Sequence, residues 1–345
     1  MNNKIKLLVW DLDNTIWEGV LAEDEKIKID DKVKNIIIEM DKRGILQSVC
    51  SKNEHEAAMK KLKEFDIAEY FLYPQINWNS KASNILKIID LLNISTDSVA
   101  FVDDQEFERE EVKFTLPEVT CMDISQAYDI LNMEAFLPKF ITDESQKRRT
   151  MYQADIERKK AEEQFVDSQD AFLESLNLEM QVKKAEKEDL MRLAELTVRT
   201  HQLNTTGIIY TYDELSSLLD NPNYRIYVCS ATDIYGDYGK VGMAVLKIGE
   251  TWTIKLFITS CRVMSRGIGK AFLAEIINKG MNNNKEIFAE FQPTDRNRIM
   301  SLTYARVGFV KKKVSEPLQI WKYEKKNMIT QPYYIKIKWE EKYHD

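Results

Sequence analysis

The feature that most constrains the fold is an alternation, over residues 5 to about 125, of short apolar runs with amphipathic stretches. Strands that alternate with helices form a parallel sheet covered by helices on both faces. This half of the chain is therefore predicted to be an α/β domain. The pattern predicts strands at 5–10, 45–50 and 98–102, a weak strand near 70–72, and helices at about 31–43, 54–65, 80–92 and 105–114.

Two aspartates, Asp11 and Asp13, directly follow the first apolar run. Because side chains alternate along a strand, both carboxylates point to the same side. The carboxyl ends of parallel strands are also where α/β proteins bind ligands. The pair predicts Asp11 as a nucleophile that forms an aspartyl-phosphate and Asp13 as the general acid and base. Taken alone, it is also compatible with a strand-to-loop turn that contains a capping residue.

Ser51, Asn53 and Lys81 are candidate phosphate-binding residues. Ser51 and Asn53 follow the second predicted strand, where a hydroxyl, an amide and helix N-terminal amides can bind phosphate together. Lys81 begins a predicted helix, where its charge would neutralise phosphate oxygens and steady Asp11. The alternatives are that Ser51 is a plain N-cap and that Lys81 is solvent-exposed.

Asp103 and Asp104 end another apolar strand, Ala100 to Val102. Oxygen ligands of this kind suit Mg²⁺, which neutralises the negative charge of a phosphate. The sequence therefore predicts a magnesium site formed by Asp11, Asp13, Asp103 and Asp104.

Four motifs can be read from these residues, namely Asp11-x-Asp13, Ser51, Lys81 and Asp103-Asp104. In this order they resemble the four motifs of the haloacid dehalogenase (HAD) superfamily. Segments 11–24, 50–53 and 101–109 are similar to its FkbH-type subgroup, whose members join a HAD domain to an acetyltransferase-like domain. The resemblance implies an Mg²⁺-dependent enzyme. Its expected reaction transfers a glyceryl group from 1,3-bisphosphoglycerate to the phosphopantetheine thiol of an acyl carrier protein, with dephosphorylation. The product would be an extender unit for polyketide or nonribosomal peptide assembly.

Glyceryl transfer raises the question of which thiol carries the acyl group. Cys50 lies beside Ser51 at a strand end, where a helix N-terminus would ease its ionisation to the nucleophilic thiolate. Cys50 is therefore a candidate catalytic residue, although cysteine is also commonly buried as a small apolar residue. Cys261 in the second half of the chain is the competing thiol, with a buried strand-end cysteine as its alternative.

The second half predicts a separate α+β unit, with strands at 178–182, 224–230, 240–247, 251–258 and 286–291 and helices at 187–202, 212–219, about 269–279 and 296–306. Segment 260–270 resembles the acyl-CoA loop of GNAT acetyltransferases, although Met264 stands where that loop usually has Gln or Arg. The resemblance implies that Arg266, Gly267 and Gly269 bind pantetheine, the group shared by coenzyme A and carrier proteins. The polar run 201–206 is expected either to line the interdomain cleft or to form a helix end followed by a turn.

The predicted fold is thus α/β, a HAD-like domain with a Rossmann-type parallel sheet plus a GNAT-like α+β domain. The predicted boundaries are 1–142 for the HAD-like domain, 143–175 for a charged linking helix and 176–345 for the GNAT-like domain. We expect the linking helix to be a solvated surface helix without a function of its own.

The 345-residue chain has a formal net charge of −7, which gives no electrostatic basis for binding nucleic acid or an anionic membrane. Its N-terminal apolar run is too short for a signal peptide, so we expect a cytoplasmic protein with free thiols. Two alternative functions remain. One is a bifunctional phosphatase and N-acetyltransferase, and the other is a non-catalytic scaffold for a carrier protein.

Overall fold

The computed structural model describes residues 4–165, 168–315 and 317–340. The chain forms two units, Met1–Gln153 and Ala154–Asp345. The elements of the first unit, in chain order, are β1 (Leu7–Trp10), β2 (Trp17–Glu18), β3 (Lys28–Ile29), α1 (Asp31–Lys42), β4 (Leu46–Ser51), α2 (His55–Glu64), β5 (Gln75–Ile76), α3 (Lys81–Leu92), β6 (Val99–Val102), α4 (Glu106–Thr115), β7 (Thr120–Met122), α5 (Ile124–Ala127) and α6 (Asp143–Gln146). Helix α7 (Arg148–Glu162) spans the boundary between the units.

A parallel sheet in the order β5-β4-β1-β6-β7 forms the centre of the first unit. All residues of β1, β4 and β6 are buried. Helices contribute apolar residues such as Ile37 of α1 and Leu62 of α2 to the core. The predicted α/β domain is therefore confirmed, and its three main strands lie within one or two residues of their predicted positions.

The prediction of a weak strand near 70–72 is wrong. Residues Ala68–Tyr70 form a 3₁₀ turn, and the edge strand β5 begins only at Gln75. Phe71 makes an isolated bridge to Gln47, but Tyr73 then adopts a positive φ of 50°. This left-handed residue interrupts the extended chain before a strand can form.

The second unit contains, after α7, the elements α8 (Gln169–Ser175), β8 (Leu178–Lys184), α9 (Lys187–Arg199), α10 (Tyr212–Asp220), β9 (Tyr224–Asp233), β10 (Gly236–Lys247), β11 (Thr251–Thr259), α11 (Ile268–Asn282), β12 (Glu286–Phe291), α12 (Arg298–Val307), β13 (Phe309–Ser315), β14 (Leu318–Tyr323) and β15 (Ile335–Glu340). A 3₁₀ helix, Cys261–Arg266, precedes α11. The strands form a mixed sheet in the order β13-β14-β12-β11-β10-β9-β8-β15. Its parallel pairs are β11 with β12 and β8 with β15. The predicted α+β architecture is therefore confirmed.

The prediction of one linking helix over 143–175 is wrong, because this stretch contains three helices, α6, α7 and α8. Thr142 and Ser145 form a capping box that starts α6, and the Ser168 hydroxyl caps α8 by accepting a hydrogen bond from Ala171 N at 3.1 Å. Each cap starts a new helix. Residues 166 and 167 of the predicted helix lie outside the described residues. None of the helices within the described ranges has both the length and the apolar character needed to cross a membrane.

Candidate active site

The site forms at the carboxyl edge of the parallel sheet, where β1 and β6 are neighbours. Asp11 continues the ladder of β1, because its backbone N–H donates to Val102 O at 2.9 Å. Asp103 follows β6 in the same way, with its N–H donating to Met122 O at 3.2 Å. Leu12 turns into the core and is fully buried. The strand ends thus bring two carboxylates together that lie far apart in the sequence.

Lys81 lies between these two carboxylates. Its Nζ donates to Asp11 Oδ1 at 2.6 Å and also makes a short ion pair with Asp103 Oδ2. All three side chains are buried. Lys81 is the first residue of α3, which Ser80 caps by accepting a hydrogen bond from Ser83 N. The helix start therefore fixes the position of the lysine in the site.

Burial and charge shift the titration of all three groups. Burial raises the pKa of Asp11 to about 7, although Lys81 acts in the opposite direction and the charge of Asp103 adds to the rise. Burial also raises the pKa of Asp103, again against the effect of Lys81. Burial alone would lower the pKa of Lys81, but the two aspartates raise it further, so the ammonium stays charged. Perturbed ionisable groups of this kind are concentrated at functional sites.

Asp11, Asp103 and Asp104 form a group with the geometry of a cation site. Each offers one carboxylate oxygen, and these oxygens lie within 4.8 Å of one another. Asp104 Oδ1 is buried and makes no hydrogen bond within the described residues, so it is available as a ligand. The backbone of this loop is held by Arg109, whose Nη1 donates to the carbonyls of Asp103 and Asp104 at 2.7 and 2.8 Å. An all-oxygen donor set matches the preference of Mg²⁺.

We expect Asp104→Asn to weaken Mg²⁺ binding by about 10-fold or more, because it removes one anionic oxygen from the site. The measurement is the rise in melting temperature on adding Mg²⁺, since a ligand that binds only the folded state stabilises it. Glu106→Gln, a change at an exposed residue two positions away, is the matched control and should keep the full rise. An unchanged rise in Asp104→Asn would place the cation elsewhere.

Asp13 lies in the site but not in the group of converging carboxylates. Its Oδ2 accepts from Asn53 Nδ2 at 2.9 Å, and its Oδ1 accepts from Trp17 Nε1 at 2.8 Å and from Leu21 N at 3.1 Å. These donors fix the orientation of the carboxylate, and Asp11, Asp103 and Asp104 form the converging set. Asp13 was expected to ligate the metal through its side chain, but the group of converging carboxylates does not include it.

Ser51 and Asn53 also reach the site. The Ser51 hydroxyl acts to lower the pKa of Asp11 through a hydrogen bond, and it accepts from Asn53 Nδ2 at 3.4 Å. Both residues are buried. The structure therefore brings together Asp11, Asp13, Ser51, Asn53, Lys81, Asp103 and Asp104. Their predicted roles in binding and catalysis remain predictions.

Sequence reasoning missed two residues that support the site, Thr15 and Arg109. Thr15 Oγ1 accepts from Asp104 N at 3.2 Å and so ties the loop after β1 to the loop after β6. Arg109 holds the same loop through its carbonyls. Both lie in segments that the sequence had marked, Thr15 in 11–24 and Arg109 at the end of 101–109, but neither was assigned a role.

Cys50 is fully buried at the end of β4. Its Sγ lies 3.7 Å from the backbone carbonyl of Lys81, to which the thiol donates. Burial strongly raises the pKa of Cys50, and the positive charge of Lys81 offsets only part of this. The arrangement therefore favours the neutral thiol over the thiolate. The predicted acyl-carrying role of Cys50 would need a movement that uncovers the sulfur.

The loop expected to bind pantetheine lies between β11 and α11. Gly267 has a φ of +76°, and α11 begins there without a side-chain cap. Arg266 turns inward, where its NH1 pairs with Glu162 at 2.9 Å and its guanidinium stacks on Phe172. The added Cβ at Gly269 would lie 3.2 Å from Thr259 Oγ1, so this glycine allows close packing on β11. Arg266 is thus placed as a packing residue, and binding by the loop remains a prediction for its backbone.

The polar run 201–206 packs against β11. Strand β11 pairs with β12 only over Thr251–Ile254. Beyond this point β11 pairs with the polar run instead, because Thr205 N donates to Phe257 O at 3.0 Å and Thr259 N donates to Leu203 O at 3.1 Å. On the other side, Gln292 N donates to Thr205 O at 3.0 Å. The run therefore occupies the gap that opens between two parallel strands. Cys261, just after β11, is half-buried against the core of this unit.

The chain matches no protein-family model and no curated protein. It is similar to the N-terminal part of BF1531 from Bacteroides fragilis, which contains a phosphatase domain and was crystallised with Mg, at 29% identity and a TM-score of 0.31. That match covers 42% of this chain and 38% of the other, so it spans less than half of the phosphatase-containing chain. A putative GNAT acetyltransferase from Desulfovibrio desulfuricans (16% identity, TM-score 0.34) matches over 42% of this chain and 98% of its own. The PaiA N-acetyltransferase from Thermoplasma acidophilum, solved with coenzyme A, matches at 16% identity and a TM-score of 0.34, over 42% of this chain and 99% of its own.

The topology and the placement of the acidic residues define the fold class. The first unit is a HAD-like α/β domain, with the two acidic strand ends and the lysine at one edge of a parallel sheet. The second unit is an α+β domain with a mixed sheet, which is the class of architecture that its resemblance to GNAT acetyltransferases implies.

Proposed function

We propose that the first unit is an Mg²⁺-dependent phosphatase that acts through Asp11. The observation that carries this proposal is the buried arrangement of Lys81 between Asp11 and Asp103, next to the unsatisfied oxygen of Asp104. Burying several charges is costly, and a buried ion pair is weak evidence for a purely stabilising role. A site that binds a phosphate and a cation gives these groups a chemical purpose.

Asp11 attacks the phosphorus of the substrate, and the bond to the leaving oxygen breaks. Lys81 steadies the attacking carboxylate, while Ser51 and Asn53 hold phosphate oxygens. Asp13 protonates the leaving oxygen and then takes a proton from the water that hydrolyses the aspartyl-phosphate. Bound Mg²⁺ would supply charge neutralisation for the phosphate, with Asp11, Asp103 and Asp104 as the residues that hold it.

We propose further that the substrate is 1,3-bisphosphoglycerate and that the product is a glyceryl thioester of the phosphopantetheine thiol of an acyl carrier protein. The support is that segments 11–24, 50–53 and 101–109 resemble the FkbH-type subgroup of the HAD superfamily. A thiol displaces the acyl phosphate, and Asp11 removes the ester phosphate with water. One bisphosphoglycerate, one carrier thiol and one water therefore give one glyceryl thioester and two phosphates.

The test is to incubate the protein with Mg²⁺, 1,3-bisphosphoglycerate and a pantetheinylated carrier protein, and to measure intact masses and released phosphate. Glyceryl-loaded carrier with two phosphates per thioester would support the proposal. Phosphate release without any adduct on a cognate carrier would instead indicate a plain phosphatase.

We expect Cys50→Ala to keep phosphate release and carrier loading within about threefold of the unchanged protein, because its buried thiol has a raised pKa. Cys261→Ala is the matched variant for the half-buried thiol, and intact masses would show whether either cysteine carries an acyl group. Loss of loading in Cys50→Ala, with phosphate release intact, would show that the thiol becomes exposed and reacts.

A second candidate function is acetyl transfer by the second unit. The observation that favours it is the start of α11, where Gly267 provides no side-chain cap, so the first backbone N–H groups of the helix have no partner within the helix. Calorimetric titration with acetyl-CoA and with a pantetheinylated carrier separates the candidates. Binding and turnover of acetyl-CoA would establish an acetyltransferase, whereas binding of the carrier alone would assign this unit to carrier recognition.

A further inference from the structure

Lys52 and Glu108 form an ion pair beside the site that the proposed mechanism does not use. Lys52 lies between Ser51 and Asn53, and its Nζ donates to Glu108 Oε1 at 2.7 Å. Glu108 belongs to the first turn of α4, directly after the Asp103–Asp104 loop, and only 5% of its surface is exposed. Two segments of the candidate site thus each contribute one member of the pair.

Glu108 has an oxygen that nothing in the described chain satisfies. Its Oε2 is buried and makes no hydrogen bond there. A buried acceptor without a partner destabilises the folded state, and a buried ion pair is itself weak evidence for stability. The pair is therefore poorly explained as a structural brace. An unsatisfied acceptor and a cation side by side are instead suited to a ligand with a hydroxyl next to an anionic group.

The pair borders the candidate phosphate site. Lys52 follows Ser51 directly, and Glu108 precedes Arg109, which holds the Asp103–Asp104 loop through its carbonyls. The side chain of Lys52 remains about one-third exposed (34%), so a ligand can reach it. Its ammonium has three N–H donors, one of which goes to Glu108.

We propose that Lys52 and Glu108 form a second subsite for the part of the substrate remote from the reacting phosphate. Lys52 binds a carboxylate or a second phosphate, and Glu108 Oε2 accepts a hydrogen bond from the neighbouring hydroxyl. The subsite selects phosphate esters of small 2-hydroxy acids and their acyl derivatives. It rests on the proposed function only in that the reacting phosphate lies at Asp11.

Two substrates that differ in one group test the role of Lys52. 3-Phosphoglycerate has a carboxylate at carbon 1, and glycerol 3-phosphate has a hydroxymethyl group there. We expect Lys52→Met to lower kcat/KM for 3-phosphoglycerate by about 10- to 100-fold, mainly through KM, because a charged hydrogen bond is lost. The loss for glycerol 3-phosphate should be at least about 10-fold smaller, because this substrate has no carboxylate for Lys52 to bind. One charged hydrogen bond corresponds to about a factor of ten or more in affinity. Lys60→Met, at an exposed lysine of α2, is the control and should leave both values unchanged.

Glu108→Gln provides the second variant. It keeps the shape of the side chain but removes the charge that anchors Lys52, so we expect the same selective loss for 3-phosphoglycerate. Equal losses for both substrates, or none, in both variants would overturn the subsite.

The subsite and the proposed function can fail separately. If neither ester releases phosphate in an Asp11-dependent way, the phosphatase proposal fails. Calorimetric titration with 3-phosphoglycerate in the presence of Mg²⁺ still tests the subsite in that case. The expected result is at least about 10-fold weaker binding in Lys52→Met than in Lys60→Met, and equal binding would overturn the proposal.

Discussion

Asp11→Asn is expected to abolish phosphate release, with a loss on the order of 10⁴-fold or more, as for other enzymes that lose a nucleophile. Asparagine keeps the shape of the side chain but cannot form the acyl phosphate. Lys81 retains its ion pair with Asp103, so the change should leave the fold intact. The measurement is phosphate release under saturating Mg²⁺, with circular dichroism to confirm folding.

Asp90→Asn is the matched control for this variant. Asp90 is an exposed residue of α3, away from the site, and its replacement should leave phosphate release unchanged. An Asp11→Asn protein that folds normally and retains more than a tenth of the activity would contradict the assignment of Asp11 as nucleophile.

Arg158→Met is expected to destabilise the second unit by about 3–5 kcal/mol, the typical cost of leaving a buried charge without its partner. Arg158 is 1% exposed, and its Nε and Nη2 donate to the two carboxylate oxygens of Asp233 at 2.7 and 2.8 Å. Its guanidinium also stacks on Tyr238, with 3.9 Å to the ring centroid, and NH1 pairs with Asp155. Helix α7 is thus fastened to the hairpin of β9 and β10.

Hydrogen exchange of the amides of β9 and β10 measures this effect locally, alongside urea denaturation. Arg158→Lys should lose less than Arg158→Met, because it keeps a charge but not the two-pronged geometry. Lys160→Met, at an exposed residue of the same helix, is the control. A change within about 0.5 kcal/mol in Arg158→Met, the range typical of surface substitutions, would show that the cluster contributes little.

Much of the first unit could be predicted from the sequence because its signals are local. Strands β1 and β6 are continuous apolar runs, β4 is a fully buried strand that also contains Gln47 and Ser48, and each of the three leads into polar residues of the site. Parallel strands bring their carboxyl ends to one edge, so the convergence of Asp11, Ser51 and Asp103 followed from topology alone. Strand β7 escaped prediction because it has three residues and is mostly unburied.

Other features depend on contacts distant in sequence, and no local pattern predicts them. Strand β15 pairs with β8, with Ile335 opposite Leu178, and β13 and β14 complete the other edge of the same sheet. Arg158 lies in a charged stretch that was predicted to be a solvated helix, yet its side chain is buried and paired with the distant Asp233. The burial of Cys50 depends on α3 packing over it, and a strand-end cysteine does not reveal this.

The most direct test of the account is to trap the covalent intermediate. The protein and its Asp13→Asn variant are quenched in acid during turnover of p-nitrophenyl phosphate with Mg²⁺, digested and analysed by mass spectrometry. Because nitrophenolate leaves without a proton, the loss of Asp13 should slow mainly the hydrolysis of the intermediate. The account predicts one base-labile phosphoryl group on the peptide that contains Asp11, accumulating in Asp13→Asn and absent from Asp11→Asn. Continued turnover with that peptide unmodified, or a phosphoryl group on another residue, would contradict it.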